Sequence, residues 1–438
     1  MKTKSIINKP VFCVLTLGIV LIASLSTRSQ TLDGGFGHSI ILCEDSTVWT
    51  CGSNYYGALG DGTTTNSSTP VQVSTLSKII AVDSRGSNCM ALGDDGSVWA
   101  WGHNYYGQLG NGTTTGFDAN PSPAQINGLS NIIDIAVGDG FSMALQNDSM
   151  VWMWGSNSSG QLGIGTTEDT TLPVLVTGLS DVIAIAAGEL HTMVLKSDST
   201  VWTWGHNAYG QLGDSTNNQS EVAVKVVGLE NVVAIAAGTW HSLAIRDDGT
   251  VWTWGHNTYG QLGDGTTTSS NTPVQASGLS NTSAIAGGWF HSIALKDDGT
   301  VWTWGENQYG QLGDGSNTDG SSPSQLSSLS GITAVEAGRD HSMALKNDKT
   351  VWTWGWNWRG LLGDGTTTDR NTPVEMELSC IPTGIPKYDL ESVLNIFPNP
   401  FKDVTNITYT LNKETEVSIE VFNLEGKKIR SVTNERQQ

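Results

Sequence analysis

Eight histidines are the residues of this 438-residue chain with the widest chemical reach, since imidazole titrates near neutrality, ligates metals and serves as a general base. Five of them, His38, His191, His241, His291 and His341, stand ten residues ahead of a Val-Trp pair, where two further copies carry Asn88 and Phe141. His103, His206 and His256 fill a second recurring slot, held elsewhere by Ser53, Ser156, Glu306 and Trp356. An imidazole ring could hold a metal, but such sites usually draw on carboxylate or thiolate partners, and none recurs in register. A slot refilled by the same residue in copy after copy reads as structural. No nucleophile elbow, HExxH or Ser/His/Asp constellation occurs. No catalytic residue, metal or cofactor is therefore assigned.

Positions where the copies disagree are better candidates for function. Ahead of the first histidine slot, successive copies carry Phe36-Gly37, Gly86-Ser87, Asp139-Gly140, Glu189-Leu190, Thr239-Trp240, Trp289-Phe290 and Arg339-Asp340. If the copies are arranged radially, these pairs form a ring on one face. That ring gathers Phe36, Trp240, Trp289, Phe290, Arg339 and Asp340, and the last copy adds Trp356, Trp358 and Arg359, which could lie at either rim. Aromatic and Arg side chains on loops are common anchors of binding surfaces. These nine residues are the candidate binding site, and packing of the loops on one another is the competing explanation. The GDGTTT loops, as at Gly263, match neither a calcium loop nor a phosphate loop and read as turns.

The element that positions these residues is VWTWG, which recurs seven times, from Val48, Val98, Val151, Val201, Val251, Val301 and Val351. Five intervals are 50 residues and one is 53, with the extra three between Thr113 and Pro123. A fixed period of this length marks a repeat architecture. Each unit holds short apolar runs, as in VVAIAA, SLAI, VWTW and PVQA, separated by Gly, Asp, Asn, Thr and Pro. Such a pattern predicts a four-stranded antiparallel sheet. Asp248-Gly249 marks a tight hairpin between the second and third strands. Strand alternation puts Trp252 and Trp254 on one face and Val251 and Thr253 on the other. Both faces therefore need cover, which a radial array of blades supplies. A buried Trp removes roughly 150 to 250 Å² from water, about 4 to 6 kcal/mol gross as an upper bound. The Trp pairs are thus expected between blades. The first copy begins at GGFGHSIIL without the usual leading strand, so seven blades are expected with one incomplete or jointly built from the two ends.

The pattern AAGxxHSxALxxDGTVWTWGxNxYGQLGDGTTT closely resembles the regulator of chromosome condensation repeat, across roughly residues 34 to 378. The resemblance implies an all-β, seven-bladed β-propeller. It leaves activity open, because one scaffold hosts unrelated functions. Eukaryotic members act as guanine nucleotide exchange factors, and some bacterial members are secreted binding proteins.

The ends carry export signals. Residues 1–30, with three lysines before the apolar run VFCVLTLGIVLIASL, read as a signal peptide. After a propeller over 31–380 and a linker over 381–390, residues 391–438 resemble a type A C-terminal sorting domain of the type IX secretion system. The PNP turn (Pro398-Asn399-Pro400) and the FNLEGKKI stretch carry that resemblance, which implies a small β-sandwich-like domain. Its closing strands are missing after NERQQ, so the tail reads as truncated.

The formal charge of −20 argues against nucleic acid and against an anionic membrane surface. Four cysteines follow the signal: Cys51 and Cys89 occupy core-like positions, and Cys43 and Cys380 lie near the two ends of the ring, where a disulfide is one alternative. Together these readings describe a secreted or cell-surface, monomeric, non-enzymatic binding propeller. It would be exported through the periplasm and meet the membrane only during export. A protein partner is expected first and a glycan second. The alternatives are exchange-factor activity, and a polysaccharide or small-molecule lyase or hydrolase using His206 or His256.

Overall fold

A computed structural model describes residues 32–380, and beyond them the backbone of four short strands. In the first region seven four-stranded antiparallel sheets follow one another, each built from consecutive strands. In the fifth blade these are Val232–Ala237, His241–Arg246, Val251–Gly255 and Ser270–Gln275, from the innermost strand outward. The expected apolar runs become the strands and the expected Asp-Gly pair becomes the hairpin. Gly249 takes φ of 74°, and Asp248 Oδ1 accepts the Thr250 amide at 3.0 Å.

Ring closure differs from the expectation. The first blade is complete and shares no strand with the last, because Leu32–Gly34 supplies its innermost strand in only three residues. Closure instead rests on contacts between two whole blades. Ser39 Oγ lies 3.0 Å from His341 Nε2, and Cys43 is disulfide-bonded to Cys380, 337 residues away.

The core is divided among seven interfaces between neighbouring blades. Between the fourth and fifth, Trp252 and Trp254 meet Met193, Leu195, Val201 and Val226, while Val251 and Leu243 turn to the sixth blade and meet Ile285 and Trp304. The second Trp of each pair is fully buried, and its indole N–H donates across the interface, as from Trp254 to the Gln211 carbonyl at 2.9 Å. The first Trp is partly buried near the hairpin: Trp252 Nε1 donates to Thr250 Oγ1 at 3.1 Å, and Arg246 lies 5.7 Å from the ring centroid. At the seam of last and first blades Cys51 replaces the buried Trp, and Met343 and Met376 fill the space. Unbranched Met suits an irregular gap of this kind.

The GDGTTT loops are turns held by a buried Asn. Asn257 Nδ2 reaches the carbonyls of Thr266 and Thr268 at 3.2 and 3.0 Å, and its Oδ1 accepts the Leu262 amide at 2.9 Å. Cys51 and Cys89 are buried free thiols, pushed up by burial, Cys51 to about 12.

In the C-terminal region Asn395–Phe397 pairs with Asn406–Thr408, and Ile419–Phe422 with Lys428–Val432, both antiparallel. The rest of 391–438, the linker 381–390 and the signal segment 1–30 lie outside the described residues.

Candidate functional site

The candidate site stands on a ring of buried imidazoles. His191 Nε2 lies 3.1 Å from Ser242 Oγ of the next blade, His241 repeats this with Ser292 at 2.8 Å and His291 with Ser342 at 3.0 Å. His38 meets Cys89 Sγ at 3.0 Å in the same way. Desolvation holds these imidazoles neutral, lowering His191, His291 and His341 to about 3 and His38 to about 4. The three histidines of the second slot bind glutamines, as His206 Nδ1 does with Gln211 Nε2 at 2.8 Å. Among the described residues no group of three or more His, Cys, Asp or Glu is placed to hold a metal. Recurrent histidine here locks blade to blade and carries the loops above it.

Those loops bring the first residue of every variable pair to one place. Phe36, Gly86, Asp139, Glu189, Thr239, Trp289 and Arg339 all line a cavity of about 110 Å³ at the centre of one face. Arg339 sits between two rings, 3.4 Å from the Trp289 centroid and 3.9 Å from that of Phe36, with Trp356 at 5.9 Å. Desolvated cation–π contacts of this kind are worth roughly 1 to 2 kcal/mol each. Arg339 Nε is 3.1 Å from Asp340 Oδ2, but the N–H is not aimed at the carboxylate, so the contact is an ion pair rather than a hydrogen bond.

The second residue of each pair turns toward the neighbouring loop. Trp240 packs edge-on to His206 at 5.2 Å and to Tyr209 at 5.7 Å, and Phe290 meets His256 at 5.1 Å and Tyr259 at 4.9 Å. Trp289 stacks on Phe290 at 5.0 Å. Phe36 meets Trp356 at 6.3 Å, Trp356 stacks on Trp358 at 5.4 Å, and Arg359 lies 3.9 Å over Trp358. With Tyr209 to His256 at 4.7 Å, an unbroken arc runs from Trp240 through the centre to Arg359. All nine candidate residues therefore share one face, including the three whose rim was open. Phe36 and Trp358 are 42 and 41% exposed, whereas Asp340 is buried.

Carboxyls around the centre titrate unusually high. Burial, then repulsion by Asp139, raises Glu189 to about 7, opposed by Arg85 and Arg339. Burial, then Asp340 and Asp319, raises Glu306 to about 7, and burial raises Asp340 to about 6 against the pull of Arg339. Asp139 is exposed to solvent, yet the protein crowded around its carboxyl raises it too, against the pull of Arg85 and Arg339.

Residues 75–393 match the family described as RCC1-like domain, and residues 31–58 and 45–92 match the regulator of chromosome condensation (RCC1) repeat. The chain belongs to the RCC1-like domain family. Residues 395–438 match the secretion system C-terminal sorting domain, which indicates export by the type IX route to the cell surface or beyond. Among curated members, the ultraviolet-B receptor UVR8 of Arabidopsis thaliana is 33% identical over 144 residues, 32% of this chain and 33% of that protein. The human E3 ubiquitin-protein ligase HERC2 is 32% identical over 145 residues, 32% of this chain and 3% of that protein. The matches thus span a third or less of these relatives. Yeast RCC1 (Prp20), solved bound to Kap60, is alike in fold, with TM-score 0.69 and 21% identity over 89% of this chain and 92% of that one. Human WBSCR16 superposes with TM-score 0.66 and 25% identity over 73% of this chain and 88% of that one.

Two features of the face escaped the sequence reading. Arg85 stands where other RCC1-type units of this chain have a glycine, and its Nη2 crosses to the fifth blade to donate to the Ala237 carbonyl at 2.8 Å. Its signal was the joint change of that glycine to Arg85 and of the histidine to Asn88. A tyrosine cluster, Tyr55, Tyr56, Tyr105 and Tyr106, packs around His103, and the three-residue insertion lays Phe117 on Tyr105 at 5.1 Å. Tyr-Tyr-Gly, seen twice against a single tyrosine in three copies and none in the other two, was its signal.

Proposed function

We propose that the chain is an exported protein-binding propeller that engages its partner through the face carrying Phe36, Trp240, Trp289, Phe290, Arg339, Asp340, Trp356, Trp358 and Arg359. The observation that carries this reading is the unbroken aromatic and arginine arc, partly exposed, on one rim of a rigid ring. Rigid aromatic anchors lose little conformational freedom on binding and give large contact area. A non-catalytic role agrees with His206 and His256 being held by Gln211 and Gln261, and with the buried histidines being occupied in joining blades. The excess of acidic residues favours a basic or neutral protein partner over nucleic acid. Affinity capture from the cell-surface fraction of the producing cells tests it: the full chain should retain a defined protein that Trp240→Ala/Trp289→Ala, still folded, does not retain. Retention of a glycan instead would replace the partner class.

A further inference from the structure

The central cavity has a polarity that the protein-binding reading does not use. Its acids and Arg339 lie on different sides. Asp139 and Glu189 come from the third and fourth blades, while Arg339 comes from the seventh, flanked by Phe36 and Trp289 of the first and sixth. Arg85 crosses from the second blade to the Ala237 carbonyl of the fifth and also lines the bowl. Both guanidiniums act electrostatically on both carboxyls, yet among the described residues neither carboxyl closes to ion-pair distance of either arginine. Burial, then repulsion by Asp139, raises Glu189 despite the pull of both arginines. Trp289 Nε1 is buried without a hydrogen-bond partner, and the Arg339 Nε–H is also unsatisfied. Buried donors without partners are rare in folded proteins and call for an explanation.

We propose that this bowl binds a small zwitterion of the α-amino acid class, its carboxylate on Arg85 and Arg339, its ammonium on Asp139 and Glu189, and its side chain toward the exposed Phe36. A simple anion would meet the two carboxyls, and a simple cation would meet the two guanidiniums. Only a ligand carrying both charges satisfies both sides. The volume, about 110 Å³, corresponds to roughly three or four waters and suits a ligand of about six or seven heavy atoms. Glycine backbone lines the walls at Gly34, Gly35, Gly287, Gly288 and Gly338, so main chain borders much of the bowl. The proposal goes beyond the partner reading and stands without it.

The test is calorimetric titration of the full chain at pH 7.5 with L-alanine and L-serine, beside acetate and ethylammonium, which each carry one half of the zwitterion. One saturable site is expected for the amino acids, at least tenfold tighter than for either half. Glu189→Gln, which keeps the side chain's shape and removes its charge, should weaken L-alanine at least tenfold, as should Arg85→Gln. No saturable amino acid binding overturns the proposal. Acetate binding as tightly as L-alanine makes the bowl an anion site and overturns it, and ethylammonium doing so makes it a cation site and overturns it equally. Unchanged affinity in folded Glu189→Gln also overturns it. Because partner capture is read separately, loss of one result leaves the other standing.

Discussion

His341 Nε2 lies 3.0 Å from Ser39 Oγ, and that hydroxyl donates to the Leu361 carbonyl at 2.7 Å, joining the last blade to the first across 302 residues of sequence. A hydroxyl has one proton, and Ser39 gives it to the carbonyl, so His341 must be the donor at Nε2. Its Nδ1 is then bare, and it has no partner. The same logic fixes His191, His241 and His291, whose Nδ1 atoms are likewise buried and unpartnered. Ser39→Ala strands a buried N–H, and should destabilise the ring by about 1 to 3 kcal/mol in urea unfolding. Ser242→Ala, at an ordinary interface, should cost a similar amount.

Space above each imidazole is reserved for glycine. A Cβ on Gly288 would lie 2.1 Å from His291 Cε1, closer than any real contact. Gly288→Ala should therefore cost more than about 2 kcal/mol by overpacking. His291→Asn in the same chain should restore part of that loss. The second blade supports this, since Arg85 is tolerated there beside Asn88.

Much of the fold was legible because one sheet, repeated, has a single way to cover both faces. Trp254 and Val251 alternate in the sequence and bury against opposite neighbours in the structure. The first blade was misread because Leu32-Asp33-Gly34 is too short to show apolar periodicity, although three residues suffice to pair with Ser39–Ile41. The disulfide between Cys43 and Cys380, one alternative on sequence, is formed. Seven pairs aligned by copy number located the face, because equivalent positions fall on one ring. Arg85 escaped because it replaces a backbone-like glycine rather than a variable residue, and only the geometry shows it crossing the channel.

Acid should open this ring. The ring histidines are depressed when folded, so their stabilising contribution is complete above the unfolded value of 6.5 and is lost as pH falls toward about 3. At pH 5 each costs about 2 kcal/mol. Glu189 and Glu306 act oppositely: raised to about 7, they favour the fold at low pH and lose that contribution as pH rises through 7. The histidines are more numerous and fully enclosed, so they should dominate. Urea midpoints should stay nearly level from pH 8 to 6 and fall steeply below about pH 5.5.

The Cys43–Cys380 bond closes a loop of 337 residues. Reduction, or Cys43→Ser, should lower stability by about 2 to 5 kcal/mol, chiefly by freeing the unfolded chain. Denaturation with and without reductant checks this, and Cys51 and Cys89, both buried, should stay unalkylated in the folded protein.

The most direct test of a binding face is the affinity of the captured partner for three versions of the full chain. These are the parent, Trp240→Ala/Trp289→Ala, and Val222→Ser, which alters an exposed outermost strand away from the arc. Weakening of at least a hundredfold in the first variant and no change in the second is the predicted result, since anchors of this size carry about 2 kcal/mol or more each. Equal affinity for all three, with the folds intact, would contradict it and leave the aromatic arc as packing between loops.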